Sequence, residues 1–278
     1  MSETPRKRAT GGARTARPAR RQTELAGATI SEFDGVRYLH LGTDWVQGAM
    51  RLRKPRALEL DYIQRMMAWL LWRPIDRLEP DGGQAVQLGL GAAAITRWTH
   101  QVLRWPTRAV ELNPSVITAC RLWFHLPDDD ARLQVIEDDA GAWVQRPEQA
   151  GTADALCVDL YDHDAAAPVL DDEAFYAACR DLLVAGDAHT PGGLMTVNLF
   201  GRQSSFARSS ARIAEAFGAD QVWQLAPTPE GNTVVVAGRG VIVPDRETLT
   251  ARAEAIESRF GLPARKWLRM VRPWTPVV

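Results

Sequence analysis

The chain has 278 residues, 46% of them hydrophobic and 24% charged, with a formal net charge of −1. That size and apolar fraction can bury a sizeable core, which excludes wholesale disorder, and no apolar run approaches the roughly 20 residues needed to span a bilayer. Three widely spaced cysteines, Cys120, Cys157 and Cys179, argue against a disulfide framework or a cysteine zinc site and fit a reducing cytoplasm.

The near-neutral total hides a split. Residues 1–24 carry seven Lys or Arg against Glu3 and Glu24, a charge of +5, while the rest has 26 basic and 32 acidic residues, −6. The tail holds Pro5, Gly11, Gly12 and Pro18 and almost no large apolar side chain. It buries too little to offset the entropy of ordering and is read as disordered. It has no apolar secretory segment, and an Arg-rich transit peptide fits less well for want of an amphipathic face. A solvated extension is expected, with at most a weak contact to nucleic acid.

Residues 25–56 predict a small antiparallel β region. Ile30, Phe33, Val36, Tyr38, Leu39 and Leu41 are β-formers, and Asp34-Gly35 splits them as a hairpin turn would. Gly42-Thr43-Asp44 marks a second turn before Trp45, Val46 and Met50. Leu58, Tyr62, Met66 and Leu70, four apart, predict a helix over 58–71, between Pro55 and Pro74. From residue 84 strands and helices alternate. Strands are expected at 85–88, 108–112, 133–136, 155–158 and 194–199, with helices between them. Two further runs, 221–225 and 233–237, flank Pro227, Pro229 and Gly231 and read as an antiparallel pair closing the sheet. The pattern predicts an α/β fold over 57–240: a Rossmann-like, doubly wound, seven-stranded sheet of the class I methyltransferase-like type. Residues 241–278 form a C-terminal helical extension, with a helix from about 246 to 260 and no assigned role. Of the ten tryptophans, Trp69, Trp72, Trp98, Trp105 and Trp123 all fall on expected helices, most of them in the core or an interface.

In open α/β sheets ligands bind beyond the carboxyl ends of the strands, so the residues just after each strand carry the functional reading. Gly89 and Gly91 follow the first parallel strand, where glycine lets the backbone approach a ligand; a bare GxG also fits an ordinary turn. Glu111 ends the next strand, twenty residues beyond Gly91, at the spacing of a ribose-binding acid. It could instead serve as a charge near the following helix N-terminus. Asp138 and Asp139 follow the third strand; either could cap the next helix and leave the other free. Asp159 directly follows Val158, with Asp162, His163 and Asp164 close behind. A carboxylate partly shielded from water at that mouth suits orientation and deprotonation of an amine. His163 has no second His or Cys at ligand spacing, so no metal is expected. No P-loop, GxSxG or HExxH sequence occurs.

Taken in order, Gly89-Leu90-Gly91, Glu111-Leu112-Asn113-Pro114, Asp138-Asp139-Ala140 and Val158-Asp159-Leu160-Tyr161-Asp162 resemble the spermidine synthase (polyamine aminopropyltransferase) family, over about residues 36–240. The start of the next helix, Asp172 to Tyr176, is similar too. The resemblance implies a homodimeric cytoplasmic transferase, with decarboxylated S-adenosylmethionine as aminopropyl donor and putrescine or a related amine as acceptor. It places Gly89 and Gly91 at the donor's glycine turn, Glu111 on its ribose, and Asp139, beside Asp138, on its adenine. Asp159 would orient and deprotonate the attacking amine, Asp162 would bind the acceptor's ammonium, and Gln64 falls near a substrate-binding Gln. The chain departs from the family where GGGDGG is expected and Gly89-Leu90-Gly91-Ala92-Ala93-Ala94 stands, so the loop Asp is Ala92. The Tyr expected before Gln64 is Ile63, with Tyr62 one place early, and His163 stands for the usual Pro. A methyltransferase using intact S-adenosylmethionine, and an inactive nucleoside-binding scaffold, are the alternatives.

Overall fold

A computed structural model describes residues 25–160, 168–200 and 203–276. It begins with three antiparallel strands, β1 (Ala28–Phe33), β2 (Val36–Leu41) and β3 (Val46–Arg51), in that spatial order. Asp34 and Gly35 both take positive φ, 48° and 71°, as a two-residue turn that follows the strand twist requires. The basic tail lies outside the described residues.

Helix α1 (Asp61–Met66) does not continue to Leu71 as one α-helix. It tightens into a 3-10 segment over Met67–Trp72. All six side chains of that segment are buried, so packing on every side, rather than one apolar stripe, governs its backbone. The alternating region follows: β4 (Ala85–Leu88), α2 (Ala94–Trp98), β5 (Thr107–Glu111), α3 (Pro114–Trp123), β6 (Leu133–Glu137), α4 (Ala140–Val144), β7 (Ala155–Val158), α5 (Glu173–Leu182), β8 (Leu194–Phe200), α6 (Gln203–Phe217), β9 (Val222–Gln224) and β10 (Asn232–Gly238). After α2 the helix widens into a π turn over Thr99–Leu103. There the Thr99 hydroxyl donates to the carbonyls of Ile95 and Thr96 and competes with the backbone ladder. Helix α3 starts as its sequence predicts, with Asn113 as cap and Pro114 in the first turn. Trp105 lies in the loop before β5, not in a helix, and Trp123 is half exposed at the end of α3.

Among the described residues the large sheet has eight strands, in the order β11 (Arg272–Pro273), β9, β10, β8, β7, β4, β5, β6. Strands β4 to β8 pair in parallel, and β10 runs antiparallel to β8 and β9. Seven strands were expected. The eighth, β11 (Arg272–Pro273), is a two-residue edge strand on β9, and its proline, which cannot donate to a ladder, hides it from sequence reading.

The strands alternate between two cores, as period-two side chains must. Ala85, Ala155, Cys157, Leu194, Val234 and Val236 face the Met67–Trp72 segment, Trp98 and two C-terminal helices, α7 (Arg246–Phe260) and α8 (Ala264–Met270). Val86, Leu88, Leu156, Val158, Met195, Val197 and Val235 face the opposite way, onto Trp143, Phe175, Tyr176, Ile213 and Phe217 from α4, α5 and α6. A third cluster joins Leu39 and Met50 of the N-terminal sheet to Leu90, Ala92, Ala109, Val116 and Phe124. The C-terminal residues close the first core. Ala253, Ile256, Ala264 and Trp267 are fully buried there, and Arg252 donates to the carbonyls of Leu71 and Trp72. Each large apolar side chain buried in this way contributes about 1.5–3 kcal/mol.

Candidate active site

The carboxyl ends of β4, β5 and β7 meet where the strand order reverses, with β4 between the other two. Backbone bonds tie the residues beyond them into one edge. The Gly89 N–H donates to Val110 (2.9 Å), Asp159 to Leu88 (2.9 Å) and Asp138 to Glu111 (3.0 Å). The fold thus brings Gly89, Glu111, Asp138 and Asp159 together, as the sequence reading expects.

The turn after β4 needs its glycines. Gly89 has φ +83°, and a Cβ there would lie 2.1 Å from the Asp159 carbonyl oxygen. Gly91 has φ +51°, and a Cβ would come within 3.1 Å of the Gln47 carbonyl oxygen. Gln87, buried in the middle of β4, stitches the turn to the next helix. Its amide N–H donates to Gly89 O at 2.7 Å, and its Oε1 accepts from Thr96 N at 2.9 Å. Strand β3 roofs the turn. A Cβ on Gly48 would meet Ala92 N at 2.5 Å and Ala92 Cβ at 2.6 Å. Ala92 is 2% exposed, so the position where the family resemblance expects an Asp is here a packing position beneath the hairpin.

Glu111 uses both carboxylate oxygens on backbone: Oε2 accepts from Leu90 N (2.8 Å) and Oε1 from Asn113 N (2.9 Å). Burial pushes its carboxyl up, and these N–H groups pull it back down. It therefore holds the glycine turn against the end of β5. A carboxylate has about four acceptor sites, so these two bonds do not use up its capacity. Glu111 does not cap α3, since Asn113 does. Of the two aspartates beyond β6, Asp139 is the cap, its Oδ1 accepting from Ala142 N at 2.8 Å. Asp138 is not free: it accepts from Asp139 N at 2.8 Å and pairs with Arg146. The exposed Asp139 uses only Oδ1 in the cap, while Asp138 is engaged by its own neighbours.

Asp159 has the most developed surroundings. Alternation along β7 turns it toward α1, like Cys157 before it. The Tyr62 hydroxyl donates to its Oδ2 at 3.2 Å, and the Asn198 amide donates to its Oδ1 at 2.9 Å. Burial pushes its carboxyl up to about 6, against the pull of the Asn198 and Tyr62 hydrogen bonds. Such a group is ionised near neutral pH yet still a competent proton acceptor, the tuning that general base chemistry favours. Gln64, two residues past Tyr62 on α1 and so near the opposite side of the helix, donates from its amide to Leu58 O at 2.8 Å. Asp162, with His163 and Asp164, lies outside the described residues.

Sequence reasoning missed Asn198, Asn232, Gln87 and Gly48, and it noted Tyr62 only as misplaced. A polar residue inside the buried run of β8 was the one available signal for Asn198. At the rim, Trp45 in the β2–β3 turn is 67% exposed and meets the Phe200 ring edge-on, with centroids 6.1 Å apart. Among the described residues no group of three or more His, Cys, Asp or Glu side chains is arranged to hold a metal ion.

Comparison with known proteins now decides the family. The chain is 31% identical over 235 residues to a polyamine aminopropyltransferase of Chromobacterium violaceum, covering 84% of each protein. The chain belongs to the polyamine aminopropyltransferase family. It is also 30% identical over 266 residues, 95% of each protein, to the polyamine aminopropyltransferase of a Neisseria meningitidis serogroup A strain. A probable spermidine synthase from Corynebacterium glutamicum superposes with a TM-score of 0.67 at 18% identity, over 92% of this chain and 98% of that one. A spermidine synthase in complex with the transition-state analogue AdoDATO gives 0.58 at 17%, covering 87% of both. Human methyltransferase-like protein 13 in complex with SAH gives 0.57 at 19%, over 78% of this chain and 96% of that one. At these identities the aminopropyltransferase family and the methyltransferases share the fold. No protein-family model matches the chain.

Proposed function

We propose that this polyamine aminopropyltransferase family member transfers an aminopropyl group from decarboxylated S-adenosylmethionine to putrescine or a related amine, releasing methylthioadenosine. The observation that carries this reading is the Asp159 carboxylate, held by Tyr62 and Asn198 at the carboxyl end of β7. In the proposed step the acceptor nitrogen forms a bond to the carbon beside the donor's sulfonium. That carbon–sulfur bond breaks, its electron pair stays on sulfur, and the amine's proton passes to Asp159. The half-buried carboxylate also orients the amine by charge. The Gly89–Gly91 turn and Glu111 would hold the donor's nucleoside, with Asp139 on the adenine, and Asp162 is assigned to the acceptor's other ammonium. The polyamine aminopropyltransferases to which the chain is similar supply the polyamine class.

One observation favours a second reading. Ala92 is neutral and buried under Gly48, so the turn lacks the carboxylate that would select a decarboxylated donor and repel an intact one. A methyltransferase using S-adenosylmethionine would tolerate that change. The test is to titrate the protein with decarboxylated and intact S-adenosylmethionine and to follow methylthioadenosine release with putrescine and other amines. Preference for the decarboxylated donor with methylthioadenosine formed is expected. Preference for the intact donor with S-adenosylhomocysteine formed would overturn the first reading in favour of the second, and binding of neither would leave a scaffold.

A further inference from the structure

Asn232 belongs to no motif in the sequence, yet it stands second in a polar chain that ends on Asp159. The antiparallel register of β8 and β10 pairs Phe200 with Asn232 and Asn198 with Val234. Asn198 and Asn232 are therefore diagonal neighbours on one face of the sheet, within reach of each other's side chains. Asn198 is 2% exposed. A carboxylate only accepts hydrogen bonds, so the end of the Asn198 amide that faces Asp159 must be its NH2. The carbonyl end then points the other way, and there the Asn232 amide donates to it at 3.1 Å. Asn232 is itself anchored in the β9–β10 turn. Its backbone N–H donates to the Thr228 hydroxyl (3.2 Å), and its carbonyl accepts from Thr228 N (2.8 Å). Thr228 is buried.

We propose that Asn232 is a positioning residue that locks the Asn198 amide in the one orientation that presents an N–H to Asp159. This rests on Asp159 acting as proposed above. An amide is nearly symmetric in shape, so packing alone does not choose between its two orientations; a fixed donor on the far side does. The turn between β9 and β10 thereby sets the carboxylate across β8, two strands away.

The discriminating variant is Asn232→Asp, close in shape but with an acceptor in place of the donor. It draws the Asn198 NH2 toward itself and leaves a carbonyl facing Asp159. The expected result is a fall in kcat of roughly tenfold to hundredfold, the worth of one hydrogen bond to a charged group, with donor KM unchanged. In an Asn198→Leu background the same substitution should have no further effect, because it acts through Asn198. An unchanged kcat, or an equal loss in the Asn198→Leu background, overturns the proposal. A second readout needs no turnover: the Asp159 carboxyl titrated by carbon NMR. Among the described residues the titratable groups acting on it are Tyr62 on α1 and Cys157 on β7, and neither is altered. Its midpoint should rise by up to about one unit in Asn232→Leu, which removes the donor without adding a second carboxylate whose charge alone would raise it. If the wild type forms no methylthioadenosine, the functional reading fails by itself. The titration then still decides the relay, and an unmoved midpoint overturns it.

Discussion

Replacing Asp159 with Asn keeps the shape of the site and removes its charge. The ordinary value of this carboxyl is 3.8, and in the fold it is pushed up to about 6, with burial the leading cause. Between those pH values the folded protein still holds a proton that the unfolded chain has lost. The group's contribution to stability is therefore complete below about pH 3.8 and lost as pH rises through about 6. At 1.36 kcal/mol per pH unit over about two units, the ionised carboxylate destabilises the fold by about 3 kcal/mol above that range. An Asn there can still accept from Asn198 through its oxygen, while its NH2 faces the Tyr62 hydroxyl oxygen, so no buried polar atom is stranded. Asp159→Asn should thus be more stable than wild type by about 3 kcal/mol at pH 8 and nearly equal to it at pH 4. Its turnover should fall by about 10²–10⁴-fold, the usual worth of a general base, with donor affinity retained. Urea unfolding at the two pH values and methylthioadenosine release measure both quantities. A variant less stable than wild type at pH 8, or one whose advantage persists undiminished at pH 4, refutes the reasoning.

Three other outcomes follow from contacts already described. Gly89→Ala forces a Cβ against the Asp159 carbonyl at positive φ and should cost roughly 2–4 kcal/mol in urea unfolding while weakening donor binding; wild-type stability would contradict the geometry of the turn. Ala92→Asp, which supplies the residue that the family resemblance leads one to expect there, should lower stability by roughly 2–5 kcal/mol through overpacking and an unpartnered buried polar group. Calorimetry showing tighter donor binding at unchanged stability would show that position 92 faces the donor instead. Cys120, Cys157 and Cys179 are buried and free; burial raises all three thiols, Cys157 to about 12. An aromatic disulfide reagent at pH 8 should therefore label none of them until urea is added, and rapid labelling of the native protein would be the contrary result.

The central parallel strands β4, β7 and β8 were legible because each is a short, almost wholly buried run bounded by turn residues. Ala85–Leu88 and Ala155–Val158 fall where the sequence places them. The acids at strand ends were legible for the same reason, since a strand's last residue fixes which edge it reaches. What escaped is what depends on distant partners. Nothing near Gly48 announces that Ala92 will press on it, 44 residues along the chain. Nothing in Leu194–Phe200 says that Asn198 will meet a carboxylate from another strand. The choice between Asp138 and Asp139 as cap depended on a helix start that periodicity locates only to within a residue or two. Tyr62, one place from where the resemblance puts a tyrosine, reaches Asp159 while Ile63 goes into the core.

The closing of the first core by the C-terminal helices also has a consequence for biosynthesis. Met67–Trp72 is wholly apolar, and its cover arrives very late. The Arg252 contacts to Leu71 and Trp72 bridge 181 and 180 positions. At about 5–20 residues per second, a ribosome needs roughly 10–40 s to make that stretch. Over that time the segment gains Trp105, which packs on Trp69 with ring centroids 5.5 Å apart, and then the sheet, but it still lacks its outer cover. The first core is therefore complete only once α7 and α8 have left the ribosome.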